Sequence, residues 1–201
     1  MMTKRILRPL QFAAVAVLVI VCGPAPRMRA QSHDQHPASL GSVLSLEQKA
    51  QQNAFIRAVR EATQPYQTAD MLPRDYQLQF GCVSGGDFGA MGMHYVNFNL
   101  VGDGEITISK PEIMLYEPVA GGRPKLTGAD YLVIQADWDA KHPGAPPEFM
   151  GQLFHLFESP NRFGLPAFYT LHVWAWKDNP NGTFSNWNPN VSCDAYNGGG
   201  H

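Results

Sequence analysis

Two histidines and a glutamate are the residues of this sequence best suited to bind a metal ion. Neutral imidazoles and a carboxylate oxygen together suit Zn, Fe, Mn or Cu(II). The spacing differs from that of a cupin, in which two histidines lie close together in one strand, so the prediction rests on side-chain type and strand position. The three residues lie in separate runs predicted as strands: His94 in Met93 to Val101, Glu117 in Ile113 to Glu117, and His172 in Ala167 to Trp176.

Alternation within these runs places the candidate ligands on inward faces. His94 shares its face with Val96, and Glu117 shares its face with Ile113 and Leu115, because successive side chains of a strand point to opposite sides. A buried glutamate needs a cation, a hydrogen-bond donor or a proton. The sequence therefore predicts a cluster that binds a metal or a small ligand. His155 is a candidate fourth ligand, although an ordinary partly buried histidine is the favoured interpretation of that residue.

The same residues also fit an enzyme that uses no metal. Glu117 and His172 would form a hydrogen-bonded acid–base pair, with Tyr95 as a proton donor. Such chemistry needs a group whose pKa lies near the working pH, and a pocket for the substrate. The sequence shows neither of these, so enzymatic activity stays open.

A third hypothesis is a carbohydrate-binding module. Aromatic rings can stack on a flat ligand while a few polar groups orient it, but Asn-Pro and Asn-Gly pairs are also ordinary turn chemistry. Exposed aromatic rings would favour binding, and buried rings would remove that hypothesis. The candidates for stacking are Tyr169, Trp174, Trp176 and Trp187, and those for hydrogen bonds to hydroxyls are Asn179, Asn181, Asn186, Asn188 and Asp178. Outside this hypothesis, Tyr95 and Glu112 are further ligand-binding candidates, because they lie beside the predicted cluster.

The N-terminus is typical of an export signal. Lys4, Arg5 and Arg8 precede an apolar run that is too short for a stable membrane anchor. We predict a signal peptide at 1–30, a disordered leader at 31–43, one domain at 44–196 and a flexible tail at 197–201. A periplasmic or extracellular protein follows, and lipidation at Cys22 is the less favoured alternative because Val21 is larger than the residue usual before such a cysteine.

Charge narrows the range of partners. Five of the fifteen Lys and Arg residues lie in the predicted signal, so ten basic residues remain against seventeen acidic ones, a net charge of −7. An acidic exported protein is a poor candidate for binding nucleic acid or an anionic membrane. We therefore expect a small molecule or a carbohydrate as the partner.

Two cysteines remain after export, Cys82 and Cys193. An even pair in an oxidising compartment predicts a disulfide, which would close a loop of about 110 residues. A thiolate metal pair is the competing interpretation. We discount it because no further cysteines cluster with these two and an exported thiolate is easily oxidised.

The remaining pattern predicts an α+β fold. Ser45 and Gln48 form the pattern of a capping box before an amphipathic helix that ends at Pro65. Beyond Tyr76 the chain has short alternating runs separated by glycine turns, including a further candidate strand from Tyr131 to Trp138. We expect the helix to pack on a curled, mainly antiparallel sheet or a small β-barrel.

Three segments carry a resemblance to a known family. GAMGMHYVN, PEIMLYEP and LHVWAWKDNPNGTFSNWNPNVSC resemble a family of uncharacterised exported bacterial proteins, over most of the chain from about Ala58 onward. No established activity is attached to that family. The resemblance therefore implies no site residues, cofactor or substrate.

Overall fold

We describe residues 44–198 of the chain in a computed structural model, and these residues belong to one compact unit. The predicted signal peptide, the leader, Cys22 and the end of the predicted tail lie outside them. Within 44–198, no helix has both the length and the hydropathy needed to cross a bilayer.

Three α-helices and eight strands make up the described fold, with short 3-10 turns at Gln64–Tyr66, Ala69–Met71 and Gly86–Phe88. The helices are α1 (Leu46–Thr63), α2 (Phe98–Val101) and α3 (Gln135–Lys141). The strands are β1 (Gln77–Ser84), β2 (Ala90–Val96), β3 (Ile113–Glu117), β4 (Lys125–Ile134), β5 (Glu148–Phe149), β6 (Gln152–Leu153), β7 (His155–Phe157) and β8 (Phe168–Val173).

Helix α1 begins at the predicted capping box. The Ser45 hydroxyl accepts a hydrogen bond from the Gln48 backbone N–H at 3.1 Å, and the Gln48 side-chain oxygen accepts one from the Ser45 N–H at 2.8 Å. These reciprocal bonds satisfy two amides that a helix start leaves without partners. The helix buries Phe55, Val59 and Thr63, so it has a single apolar face to place on the sheet.

The sheet confirms the α+β prediction. Six strands pair in the order β1-β2-β3-β4-β8-β7, each antiparallel to its neighbour, and curl into a half-barrel. Strands β5 and β6 form a separate hairpin. The large sheet ends at β1 and β7 rather than closing, so the first of the two predicted forms, a curled sheet, is the one observed.

Both faces of the central strands are buried. On one face, Phe55 and Val59 of α1 pack against Tyr131 of β4 and Leu171 of β8. On the other face, which we call the pocket face, Leu132 and Phe168 pack with Val96, Ile113 and Leu115 beneath Phe163 and Leu165. A polar residue on the pocket face therefore lies in an apolar interior.

Predicted strand limits differ from the observed ones where the chain turns into a helix. Asn97 ends β2, because its side-chain oxygen caps the backbone N–H of Asn99 at 3.1 Å and starts α2. The predicted strand from Tyr131 likewise ends at Ile134, where α3 begins, and it starts earlier, at Lys125. That earlier start brings Asp130 into the sheet.

Candidate metal centre

The sheet register brings three potential ligands together. Asp130 on β4 lies directly opposite His172 on β8, and His94 approaches them from β2. One ligand atom from each of the three residues lies within 4.8 Å of the others. All three residues are at least 95% buried, so the group lies beneath the surface of the sheet.

The imidazole of His94 has a fixed orientation. Its Nδ1 lies 3.0 Å from the carbonyl oxygen of Gly92. Because a carbonyl only accepts, Nδ1 carries the proton and the neutral ring keeps the lone pair of Nε2. A second-sphere contact of this type is usual for metal-binding histidines.

Gly92 is required for this arrangement. Its φ is +85°, and a Cβ at this position would lie 2.5 Å from the carbonyl oxygen of Tyr116. Only glycine combines a left-handed backbone with so close an approach to the neighbouring strand. The glycine therefore sets the carbonyl that orients His94.

His172 has no hydrogen-bond partner at either ring nitrogen, although both nitrogens are buried. Its Nδ1 lies 3.5 Å from Oδ1 of Asp130, which is too long for a good hydrogen bond. Burial lowers the pKa of His172 to about 3, so the ring is neutral and its 3.5 Å contact with Asp130 is not an ion pair. An unpaired buried imidazole costs free energy unless a ligand satisfies it.

Asp130 supplies the negative charge of the cluster. Its Oδ1 accepts a short hydrogen bond from the Thr170 hydroxyl, on the neighbouring strand. Burial raises the pKa of Asp130 to about 6, while the bond from Thr170 opposes that rise. A nearby cation would favour the ionised form of this carboxylate.

The donor set could hold a metal ion. Burial, followed by the proximity of His172, lowers the pKa of His94 to about 4, so both imidazoles are neutral at neutral pH. Two neutral imidazoles and one carboxylate are the protein ligands found at many mononuclear sites that keep positions open for other ligands. The chemistry of the residues present therefore agrees with a metal site.

An apolar pocket opens on the cluster. The space that the centre of a water-sized sphere can occupy there is about 30 Å³, which exceeds the 10–15 Å³ that one water needs on this measure. The pocket can therefore hold an ion with one small further ligand. Besides the three clustered residues and Thr170, its walls are Phe80, Met91, Ile113, Leu132, Phe157, Phe163, Leu165 and Phe168.

Glu117, the carboxylate predicted from the sequence, is not a member of the cluster. Its Oε2 pairs with Nζ of Lys177 at 2.8 Å, and its Oε1 accepts the backbone N–H of Ser192 at 3.1 Å. These bonds attach the C-terminal segment, residues 174–198, to β3. The carboxylate beside the histidines is instead Asp130, which the predicted strand from Tyr131 excluded by one residue.

Extending that strand backward by one residue would have found Asp130. Period-two alternation then places it on the face of Leu132, opposite Tyr131 and Val133. His155, the further candidate ligand, is exposed on β7 and lies opposite Thr170. It is not part of the group of ligand atoms that lie within 4.8 Å of one another.

The remaining predicted ligand residues lie elsewhere. Tyr95 is half-buried and its ring packs edge-on against Tyr116, 5.3 Å between centroids. Glu112 is buried, and its Oε2 accepts the backbone N–H of Leu132 at 3.1 Å. Tyr169 packs in the core beside α1. None of these three lines the pocket at the cluster.

The indoles of Trp174 and Trp176 are hydrogen-bonded to the protein itself. Nε1 of Trp174 donates to the carbonyl oxygen of Ser185 at 2.6 Å, and Nε1 of Trp176 donates to Oγ1 of Thr63 at 2.9 Å. All four tryptophans of the chain are buried or half-buried, so the structure has no fully exposed indole for stacking. Carbohydrate binding stays a prediction without support from this geometry.

The predicted disulfide is present. Cys82 of β1 is bonded to Cys193, 111 residues later. It fastens the C-terminal segment to the sheet on the side where Met93, Met114 and Tyr116 pack. A disulfide is compatible with export, while the compartment itself stays a prediction.

Comparison with protein-family models, with curated proteins and with solved structures found no match. The resemblance to exported bacterial proteins therefore stays a prediction. The functional argument for this protein rests on the chemistry of its own residues.

Proposed function

We propose that this protein binds a divalent transition-metal ion through His94, Asp130 and His172. The observation that carries the proposal is the buried His172 ring, which faces the cluster with both nitrogens unpartnered. A metal bound to one of these nitrogens would satisfy it. A metal-free pair of His172 with Asp130 would leave these nitrogens unexplained, because Nδ1 of His172 and Oδ1 of Asp130 are 3.5 Å apart. The predicted pair with Glu117 is not formed, since Glu117 bonds to Lys177 and Ser192.

The surrounding contacts support a site prepared for a cation. Gly92 orients His94 and Thr170 orients Asp130, which are the supporting bonds that metal ligands usually receive. Three protein ligands leave at least one coordination position for water or a small ligand. That position would face the apolar pocket, so the exogenous ligand is small.

Elemental analysis tests the proposal. The full chain, purified without a tag and without nickel, is loaded separately with Zn, Mn, Fe(II) or Cu(II), dialysed and measured by ICP-MS. We expect about one bound ion per chain for at least one metal, and its loss in Asp130→Asn and in His94→Ala/His172→Ala. Circular dichroism verifies that the variants stay folded.

The matched controls are His155→Ala and Glu117→Gln. The first removes a histidine outside the cluster, and the second removes the carboxylate that the sequence had suggested. Both should keep the metal. Absence of stoichiometric binding for all four metals, or equal loss in the controls, would overturn the proposal.

A further inference from the structure

Met91 lines the same pocket as His94, although the two residues are three positions apart. In a regular strand, side chains at this spacing point to opposite faces. The pairing of β1 with β2 explains the exception. Val83 pairs with Gly92 and the next residue, Ser84, pairs with Ala90, so Met91 is an extra residue with no partner on β1.

This extra residue is a β-bulge beside the candidate metal centre. Bulges re-aim side chains and are common next to functional sites. Here the bulge adjoins Gly92, the residue whose left-handed backbone and carbonyl hold His94. One local irregularity therefore brings Met91 and His94 to the walls of one cavity.

We infer that Met91 is a sulfur ligand of this centre and that it makes the site selective for copper, above all for Cu(I). This inference rests on the proposed metal binding and adds a fourth side chain to it. Thioether sulfur is a soft donor that favours Cu(I), whereas imidazole serves both copper states and a carboxylate favours harder ions. Met91 is buried, and its unbranched side chain adapts easily to a nearby ligand.

A purely apolar role for Met91 gives a different expectation. Leucine has a similar volume and would fill the same wall without loss. It offers no donor atom to a metal. The substitution Met91→Leu therefore separates ligation from packing, and Met93→Leu is the matched control, because Met93 is buried in a separate cluster with Met114 and Tyr116.

The test is Cu(I) affinity, measured without oxygen by competition with a chromophoric chelator such as bicinchoninate. We expect Met91→Leu to weaken Cu(I) binding by at least about tenfold, roughly 1.4 kcal/mol, and to leave Zn(II) affinity nearly unchanged. Met93→Leu should change neither. Equal Cu(I) affinity in the wild type and Met91→Leu would overturn the inference while leaving the proposed metal site intact.

X-ray absorption on the Cu(I)-loaded wild type provides a readout that needs no variant. We expect a sulfur scatterer in the first shell beside nitrogen, and a shell without sulfur would overturn the assignment even if Met91→Leu failed to fold. Wild-type protein that binds none of Zn(II), Mn, Fe(II), Cu(II) or Cu(I) would remove the proposed function together with this inference. Zn(II) binding through the cluster without Cu(I) preference removes the inference alone.

Discussion

Polar side chains concentrate in two regions of this molecule, and the two regions differ in how these side chains are hydrogen-bonded. In the C-terminal segment that follows β8, Trp174, Asn179 and Asn188 donate to backbone carbonyl oxygens, and Asn186 keeps one buried oxygen without a partner. On the pocket face, both nitrogens of His172 lack partners.

The difference separates structural groups from ligand groups. A buried polar group bonded to its own chain stabilises the fold and offers little to an outside molecule. A buried ring with both nitrogens unpaired is destabilising unless something else binds it. The sequence made the C-terminal segment look like a binding surface, yet its polar groups mostly hold its own turns.

Removing the disulfide should have the largest effect on the free energy of unfolding, and it tests the structural role of the C-terminal segment. Replacing Cys82 and Cys193 with alanine should lower the free energy of unfolding by roughly 4–5 kcal/mol, because the bond closes a loop of about 110 residues in the unfolded chain. Urea denaturation measures the change, and the metal content of the folded variant should stay at the wild-type value. A loss below about 1 kcal/mol would contradict the structural role of the C-terminal segment. A loss of metal would show that the two regions depend on each other.

Glu112 gives the next largest effect, as a buried carboxyl that does have a partner. Burial raises its pKa from 4.5 to about 8, so the folded protein keeps a proton that the unfolded chain releases above pH 4.5. The free energy of unfolding should therefore fall as pH rises from about 4.5 to 8, by at most roughly 5 kcal/mol at 1.36 kcal/mol per pKa unit.

Glu112→Gln isolates this contribution. The amide stays neutral at every pH, and its oxygen can still accept the backbone N–H of Leu132. Urea denaturation of both proteins from pH 4 to 9 should show a difference in the free energy of unfolding that grows with pH in favour of the variant. Parallel curves would mean that Glu112 is ionised in the folded state.

The stability gained on metal binding allows a direct comparison of Asp130 with Glu117. An ion present at a hundred times its dissociation constant should stabilise the folded wild type by about 2.7 kcal/mol. Asp130→Asn should abolish that increase, whereas Glu117→Gln should keep it, because Glu117 bonds to Lys177 and Ser192. Thermal unfolding with and without Zn(II) or Cu(II) measures both, and the reverse pattern would return the metal to the sequence-predicted carboxylate.

The sequence predicted the elements with strong local signals. The capping box fixed the start of α1, the alternation of Ile113 to Glu117 predicted β3, and the cysteine pair predicted the disulfide. Alternation within the predicted strands also indicated buried positions for His94 and His172.

Asp130 and Met91 were missed because their positions depend on pairing between strands. Asp130 joins the cluster only through its register with His172. Met91 reaches the pocket only through a bulge opposite β1, and β1 was not predicted as a strand. Periodicity within one strand cannot reveal either contact.

The smallest effect concerns the tryptophan whose ring had suggested sugar stacking. Trp176→Phe removes the hydrogen bond to Thr63, a fully buried residue whose hydroxyl also donates to the Val59 carbonyl. We expect a loss of about 1 kcal/mol in the free energy of unfolding, with metal content unchanged, measured by urea denaturation and ICP-MS. The contrary result would be that the wild type binds glycans on an array and that Trp176→Phe loses this binding without losing stability. Trp176 would then be a ligand contact. Since its Nε1 already bonds across to α1, we expect the indole to hold the C-terminal segment against the helix.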